Sequence, residues 1–240
     1  MHIPRVYLDQ ELNCATHIKI GEPQAHHLLN VLRIKASDPL ILFNGRGGEY
    51  QAKVTERSRQ LLLVEILEFN PVNRESSLKI HLLMSLLKRD KMNQAVTRAV
   101  ELGVSEITPV RTDNASISIK QEKSSYASLQ QAVQSAAEQC GCTQLPILQP
   151  GQLLAEAVAG LQPGLKLVAE AGHPRLSSYG HSKPRTLTLL IGPEGGLSQQ
   201  ELAFLIRRDF HPFGFGARTL RAETAPAALL ALLQQRWADH

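Results

Sequence analysis

The spacing of apolar residues in the first 70 positions is typical of short β-strands separated by turns. Four apolar runs predict strands, at residues 3–8, 39–43, 49–55 and 61–67. The sequence NGRGG at 44–48 predicts a hairpin turn between the second and third strands. Apolar residues at helical spacing after Pro23 predict one helix, at 23–33. We therefore expect a small β-barrel interrupted by one helix.

After a polar segment at 70–77, NPVNRESS, apolar runs alternate with longer helical segments. This alternation is typical of a mostly parallel sheet with helices on both faces. Strands are predicted at 78–86, 106–110, around Ile147, at 165–169 and at 186–191, and helices at 90–102, 121–139, 153–159, 198–208 and 224–237. The change of pattern predicts two domains, 1–72 and 73–240.

Three glycine-containing corners follow strands in the last third of the chain, at 169–172, 192–196 and 214–216. Ser198 and Glu201 form a capping-box pattern, so a helix begins directly after the second corner. Ligands of open α/β sheets usually bind at the carboxyl ends of the strands, and glycine lets them approach the backbone. The corners could converge on one ligand, although turn geometry alone would also favour glycine. The sequence lacks a Walker motif and an early Gly-x-Gly-x-x-Gly, which argues against a P-loop or Rossmann dinucleotide site.

Composition and charge fit a globular protein with a mild basic excess. Hydrophobic residues make up 43% and charged residues 20%, and the net charge is +4. Residues 1–75 have nine Lys/Arg and nine Asp/Glu, whereas residues 76–240 have seventeen and thirteen. The excess therefore lies in the second part and is compatible with a polyanionic partner. The longest apolar run, 225–233, is shorter than the roughly 20 residues of a membrane span, and the N-terminus lacks signal-peptide features, so we expect no membrane segment and a cytoplasmic protein.

Cysteine usage gives no sign of a disulfide framework. Cys14, Cys140 and Cys142 are an odd and sparse set. Cys140 and Cys142 could ligate metal, but no second Cys or His pair stands at zinc spacing. We expect no metal site.

Five segments in order carry a family resemblance: HHLLNVLRIKASDPLILFNGRGGEY, KRDKMNQAVTRAVELGVSEITPV, EQCG, LLIGPEGGLSQQEL and GARTLRAET. Together they resemble the RsmE family of SPOUT-class methyltransferases, which use S-adenosylmethionine to methylate N3 of one uridine in bacterial 16S ribosomal RNA. The resemblance implies a PUA-like N-terminal β-barrel and a C-terminal α/β domain with a trefoil knot. It also implies a homodimer through the knotted domain and 16S ribosomal RNA of the small subunit as partner.

In this family the cofactor binds at the knot corners. The resemblance implies that the corresponding segments here are 168–172, 191–196 and 215–224. The cofactor-binding residues expected within them are Val168, Ala169, Glu170, Gly172, Ile191, Gly192, Pro193, Glu194, Gly195, Gly196, Phe215, Gly216, Leu220, Arg221, Glu223 and Thr224. Leu220 is expected to pack on the adenine, with packing in the core as the alternative.

Methylation of uracil N3 requires a nitrogen that has lost its proton. Arg221 is the candidate for stabilising the uracil anion, because a guanidinium stays charged and donates in a fixed fork. Glu223 could orient Arg221 or accept the proton, with Glu194 and Glu138 as alternatives. Glu223 would also stabilise a helix N-terminus without any catalytic role.

A phosphate-rich partner requires exposed basic side chains. Lys88, Lys91 and Arg98 fall within about 80° of one another at 100° per residue, so they form a basic stripe on the helix. A basic stripe can also be only a solvated face. The predicted RNA-binding residues are Arg5, Arg33, Lys88, Lys91 and Arg98. His26 and His27 match a family pattern that packing could explain.

The chain departs from the family pattern at three positions. The family more often has Arg at Cys142, Pro at Ala217 and Thr at Ala222. Loss of the arginine could weaken substrate binding unless another residue replaces it.

Two other functions remain open from the sequence. The chain could be an inactive RNA-binding assembly factor that keeps the fold as a docking surface. It could also act on transfer RNA or on a ribose 2′-hydroxyl, which the PUA-like start disfavours.

Overall fold

The computed structural model describes residues 3–178 and 183–238. In it the apolar positions of the chain form two structural units. The chain divides into a first unit, Met1–Glu75 with Ala137–Leu145, and a second unit, Ser76–Ala136 with Pro146–His240. Residues 137–145 therefore cluster with the first unit, whereas the sequence pattern placed them in the second domain. Hydrogen bonds explain this, since Glu75 Oε1 accepts the backbone N–H groups of Thr143 and Gln144 at 2.7 and 3.0 Å.

The first unit is built on a five-stranded sheet. Its elements are β1 (Arg5–Tyr7), β2 (His17–Ile20), α1 (Gln24–His26), a π-helical turn (His27–Val31), β3 (Pro39–Phe43), β4 (Glu49–Arg57) and β5 (Leu62–Asn70). The strand order is β1-β3-β4-β5-β2, with β1 parallel to β3 and the other pairs antiparallel. The predicted hairpin between β3 and β4 is confirmed. The predicted helix is shorter than 23–33, and β2 was not predicted.

One apolar cluster forms the core of the first unit. It includes Val6 from β1, Ile20 from β2, Leu42 from β3, Val54 from β4 and Val64 from β5, each no more than 3% exposed. Within the described residues, the sheet ends at β1 and β2 without a pairing between them, so strand pairing does not close the predicted barrel. These end strands have only three and four residues, which leaves little backbone for a closing ladder.

The second unit is built on a parallel sheet. Its elements are β6 (Lys79–Ser85), α2 (Arg89–Glu101), β7 (Glu106–Arg111), α3 (Ile119–Lys123), α4 (Tyr126–Cys140, whose last four residues belong to the first unit), β8 (Ile147–Leu148), β9 (Gln152–Leu153), α5 (Leu154–Ala159), β10 (Leu165–Ala169), a 3₁₀ turn (Leu176–Ser178), β11 (Thr186–Ile191), α6 (Gln199–Ile206), β12 (Phe210–Phe213) and α7 (Ala225–Trp237). The order is β12-β10-β11-β6-β7-β8, and β9 pairs with β7. All these pairs are parallel.

Burial shows that both faces of the central strands are covered. Leu82 and Leu83 of β6 are adjacent, so their side chains point to opposite faces, and both are fully buried. Leu189 and Leu190 of β11 repeat this pattern. The prediction of a parallel sheet buried on both faces is therefore confirmed.

Three details of the second unit differ from the prediction. The single helix expected at 121–139 is two helices, α3 and α4, and α3 begins with its own capping box from Ser118 and Gln121. The strands β9 and β12 were not predicted. Across the described part of the chain, no helix has the length and apolar character that a membrane span requires.

Candidate functional site

The register of three neighbouring strands brings the predicted corners to one edge of the sheet. β10 ends at Ala169, which pairs with Ile191 at the end of β11 and with Phe213 at the end of β12. The corners that follow these residues therefore start side by side. The three predicted corners thus lie at the same edge of the sheet, as one shared ligand would require.

A pocket lies between the three corners and the start of α7. Ten of the predicted cofactor residues line it: Ala169, Glu170, Ile191, Gly192, Pro193, Glu194, Gly196, Phe215, Gly216 and Leu220. Four further lining residues, Ala171, Arg218, Thr219 and Ala222, lie within the segments expected to bind the cofactor. Three others were not predicted: Phe213, Ala225 and Leu229. The last three are small or apolar, and the only sequence signal for them is their position beside the third glycine corner.

Six predicted cofactor residues do not line the pocket: Val168, Gly172, Gly195, Arg221, Glu223 and Thr224. Val168 is fully buried in the core beside Leu190. The Gly195 carbonyl accepts a hydrogen bond from the Asn114 side chain at 3.3 Å. Arg221 and Thr224 belong to the turn that leads into α7, where the Thr224 N–H donates to the Arg221 carbonyl at 2.9 Å.

The loop after β7 holds the 192–196 corner in place. Asn114 Nδ2 donates to the carbonyls of Gly195 and Gly196 at 3.3 and 3.1 Å, and Ser116 Oγ donates to Glu194 at 3.2 Å. The predicted capping box of Ser198 and Glu201 is confirmed at the start of α6. Sequence reasoning missed these loop contacts, because 78 to 82 residues separate the partners.

The glycines of the corner after β12 have two different roles. A Cβ added at Gly214 would lie 2.6 Å from the His173 carbonyl oxygen, so this position requires glycine for a close backbone contact. A Cβ added at Gly216 would meet no described atom within 4 Å. Gly216 therefore leaves space in the pocket next to exposed backbone.

A charged cluster joins the second corner to the turn that leads into α7. Lys91 Nζ lies 2.6 Å from Glu194 Oε1 and 4.0 Å from Glu223 Oε2. Arg221 Nη1 lies 4.0 Å from Glu223 Oε1, and Arg98 donates to the Glu223 backbone carbonyl. The hydrogen bond from Lys91 lowers the pKa of Glu194, and the same bond raises the pKa of Lys91. Both groups of this pair are therefore charged at neutral pH.

Glu223 combines burial with an unsatisfied carboxylate oxygen. The residue is 8% exposed, and its Oε2 has no hydrogen-bond partner in the part of the chain that the structure describes. The Arg221 side chain, in contrast, is 82% exposed. The structure thus brings both predicted catalytic residues to the edge of the pocket.

The predicted RNA-binding residues have unequal environments. The prediction that Arg5 binds RNA is corrected by its environment. Its side chain is 8% exposed, pairs with Glu49 and donates to the Cys142 carbonyl. This burial makes Arg5 unsuitable for contacting a phosphate. Lys91 and Arg98 contact the charged cluster, so the predicted stripe is not a uniform surface. Arg33 and Lys88 are exposed.

Glu138, the alternative proton acceptor, belongs to the first unit and accepts the Tyr7 backbone N–H at 2.9 Å. Burial raises the pKa of Glu138. Cys142 also belongs to the first unit, and a hydrogen bond with Cys140, together with burial, raises the pKa of its thiol. Among the described residues, no three His, Cys, Asp or Glu side chains cluster as metal ligands would.

Comparison with known proteins gives the family. An RNA methyltransferase domain model matches residues 74–234, and an RNA methyltransferase PUA domain model matches residues 20–67. The ribosomal RNA small subunit methyltransferase E of Buchnera aphidicola (from Schizaphis graminum) is 31% identical over 243 residues, covering 99% of this chain and 98% of the relative. The chain belongs to the ribosomal RNA small subunit methyltransferase E family.

Two solved structures resemble the whole chain at the same identity. A methyltransferase from Legionella pneumophila in complex with S-adenosylmethionine has a TM-score of 0.95 at 31% identity and covers all of both chains. The ribosomal RNA small subunit methyltransferase E of Neisseria gonorrhoeae, bound to S-adenosylmethionine, has a TM-score of 0.92 at 31% identity over 99% of each chain. This member of the family therefore has the α/β methyltransferase fold with an N-terminal PUA domain.

Proposed function

We propose that this protein transfers a methyl group from S-adenosylmethionine to N3 of a specific uridine in 16S ribosomal RNA of the small ribosomal subunit. The convergence of three strand-end corners on one pocket, with a charged cluster at its edge, is the observation that supports this function best. The two relatives of known structure that bind S-adenosylmethionine share the whole fold at 31% identity. The name of the relatives supports small-subunit ribosomal RNA as the substrate.

The pocket residues fit the cofactor. Ile191, Phe213 and Leu220 give an apolar surface suited to an adenine ring, and the open position at Gly216 lets a ligand approach the backbone. Glu170 and Glu194 offer acceptors to hydroxyl or ammonium groups. When bound, S-adenosylmethionine supplies an activated methyl group on a positively charged sulfur.

Residues of the chain would prepare the uracil. A neutral uracil N3 is a poor nucleophile, so the site must accept its proton and stabilise the anion. Glu223 is our candidate proton acceptor through Oε1, the oxygen that lies 4.0 Å from the exposed Arg221. Arg221 is exposed and near Glu223, so its guanidinium can approach the uracil oxygens and stabilise the delocalised anion.

The finer architecture is also a proposal. We infer that residues 73–240 form the methyltransferase domain, with β11, β12 and α7 threaded into a trefoil knot, and that the protein forms a homodimer through this domain. β12 follows β11 in the chain but pairs with the opposite side of β10, so the chain crosses β10 between these two strands. This crossing supports the proposed knot. We propose that Arg33 and Lys88, both exposed, contact RNA phosphates, and that the protein works in the cytoplasm with the ribosomal subunit.

The test is transfer of labelled methyl from S-adenosylmethionine to small ribosomal subunits that lack their own modification. Nuclease digestion and mass spectrometry would locate the product. We expect 3-methyluridine at one site. Cofactor binding without transfer to these subunits would overturn the proposed substrate, and absence of cofactor binding would favour the docking protein over the enzyme.

A further inference from the structure

Lys91 lies between the corner after β11 and the turn that leads into α7. Its ammonium group pairs with Glu194 of the corner after β11 at 2.6 Å. The same group lies 4.0 Å from Oε2 of Glu223, which precedes α7. Lys91 is the third residue of α2, a helix whose Arg98 donates to the Glu223 backbone carbonyl. One helix therefore contacts both the backbone and the carboxylate of Glu223.

The environment of Glu223 explains why a cation is needed there. Its Oε2 is inaccessible to solvent and accepts no hydrogen bond from the described residues. Burial without hydrogen bonds disfavours an ionised carboxylate, whereas a cation within about 4–6 Å favours it. Two cations face this carboxylate, Lys91 from α2 and Arg221 from its own turn. Arg98 from α2 adds a third positive charge at the Glu223 backbone carbonyl, and Glu194, paired with Lys91, is the opposing charge.

The two cations differ in how firmly they are held. The Arg221 side chain is 82% exposed and is our candidate for contacting the uracil, so its charge would be shared with the substrate. The Lys91 side chain is less than half as exposed, at 36%, and is fixed by Glu194, which Ser116 also contacts. Of the two cations within 4.0 Å of the Glu223 carboxylate, Lys91 is thus the one that can remain beside it throughout the reaction.

We propose that Lys91 is a positioning residue that holds the Glu223 carboxylate and balances its negative charge, so that this carboxylate can accept the proton of uracil N3. This inference rests on the proposed function. In the step, the N3–H bond breaks, its electron pair stays on the uracil, and the proton forms an O–H bond on Oε1 of Glu223, the oxygen that faces the exposed Arg221. The negative charge moves from Glu223 to the uracil, where Arg221 faces it. Lys91 is then not a phosphate contact, although the sequence pattern indicated one.

The experiment measures methyl transfer by Lys91→Met and Lys91→Arg between pH 6 and 9, with small ribosomal subunits as substrate. Without the cation, the buried carboxylate loses a charge partner, so the kcat defect of Lys91→Met should be largest at pH 6 and should shrink as the pH rises towards 9. Lys91→Arg keeps the charge and should restore the wild-type profile. The pKa of Lys91 is raised by its bond to Glu194, so the wild-type cation persists over this range.

Lys88→Met is the matched comparison, because Lys88 is exposed and precedes Lys91 on the same basic stripe. A phosphate contact should raise KM for the subunit and reduce the salt slope of binding by about one, with no change in the pH profile of kcat. If Lys91→Met behaves in this way, the inference is wrong.

Binding of S-adenosylmethionine, measured by calorimetry, separates the remaining outcomes. We expect Lys91→Met to bind the cofactor within about threefold of wild type, a difference of less than about 1 kcal/mol. Loss of cofactor binding, or a kcat loss that is independent of pH, would mean that Lys91 only supports the corner and would overturn the inference. If the wild-type protein transfers no methyl, the proposed function is wrong. If the wild-type protein is active and Lys91→Met has the same activity, only the inference about Lys91 is wrong.

Discussion

Replacement of Glu49 by glutamine should destabilise the first unit strongly, because Glu49 joins two arginines at a buried site. The Glu49 side chain is 7% exposed and pairs with Arg5, whose side chain is 8% exposed. Arg74 donates to both oxygens of Glu49, at 2.9 and 3.0 Å. The glutamine would keep the size of the side chain but remove the charge that the two guanidinium groups share.

The magnitude follows from the burial of Arg5. An exposed ion pair contributes about 0–1 kcal/mol, whereas removal of one partner from a buried pair costs about 3–5 kcal/mol. Arg5 would keep its hydrogen bond to the Cys142 carbonyl and its stacking over the Phe43 ring at 4.8 Å. These remaining contacts place the expected loss near the lower limit, about 3 kcal/mol.

Urea unfolding at pH 7, followed by a probe in the first unit, measures this loss. Arg74→Ala is the control, because the Arg74 side chain is 43% exposed and should cost about 1 kcal/mol or less. The double replacement Arg5→Met with Glu49→Leu should recover most of the loss, since an apolar pair leaves no buried charge. A loss below about 1 kcal/mol for Glu49→Gln would refute the assignment of Arg5 to a buried network.

The same prediction has a pH dependence. The hydrogen bond from Arg74, and then Arg5, holds the pKa of Glu49 below its usual value of 4.5. A lowered pKa in the folded state means that the stabilisation is fully present above the unfolded pKa and is lost as the pH falls through the folded one. The difference in unfolding free energy between wild type and Glu49→Gln should therefore be constant near neutral pH and shrink at acidic pH below 4.5.

Three further predictions concern the second unit. Gly216→Ala should weaken S-adenosylmethionine binding by about tenfold, or about 1.4 kcal/mol, because the added Cβ lies in the pocket. The melting temperature should be unchanged, because this Cβ meets no described protein atom. Calorimetry measures the first effect and thermal unfolding the second. Ser198→Ala should cost about 1 kcal/mol of unfolding free energy, since the N-cap hydroxyl accepts the Glu201 N–H and donates to Asp113, and an equal urea midpoint would contradict it. Arg221→Ala should lower kcat at least about a hundredfold with nearly unchanged cofactor affinity, and a loss confined to cofactor binding would reassign Arg221 to the pocket.

The long elements could be predicted from sequence, but the short strands could not. β6 and β11 are apolar runs with turn or helix signals at both ends, so local pattern suffices for them. β12 has four residues, FHPF, including a proline, and its pairing with β10 is what makes it a strand. β2 has four residues of which only Ile20 is buried, so no periodicity could develop.

The corners could also be predicted, but not the contacts that hold them. Glycines after apolar strands are a local signal, and the corner residues Gly192, Gly196 and Gly216 do line the pocket. Asn114 has no local signal, since its partners are 81 and 82 positions away. Arg5 was misjudged for a related reason: sequence shows a basic residue, but not the buried carboxylate that it meets 44 positions later.

The shape of the pocket also depends on a core residue, Phe210, that does not line it. Phe210 is 2% exposed and packs in the apolar cluster with Val168 and Leu205, and this packing fixes the register of β12 on β10. A shift by one residue would turn each β12 side chain to the opposite face and move the Gly216 corner by about 3.3 Å along the strand. That displacement exceeds a hydrogen-bond length, so it would separate this corner from the 192–196 corner. A change in the packing of Phe210 should thus reduce cofactor binding as surely as a change in the corners themselves.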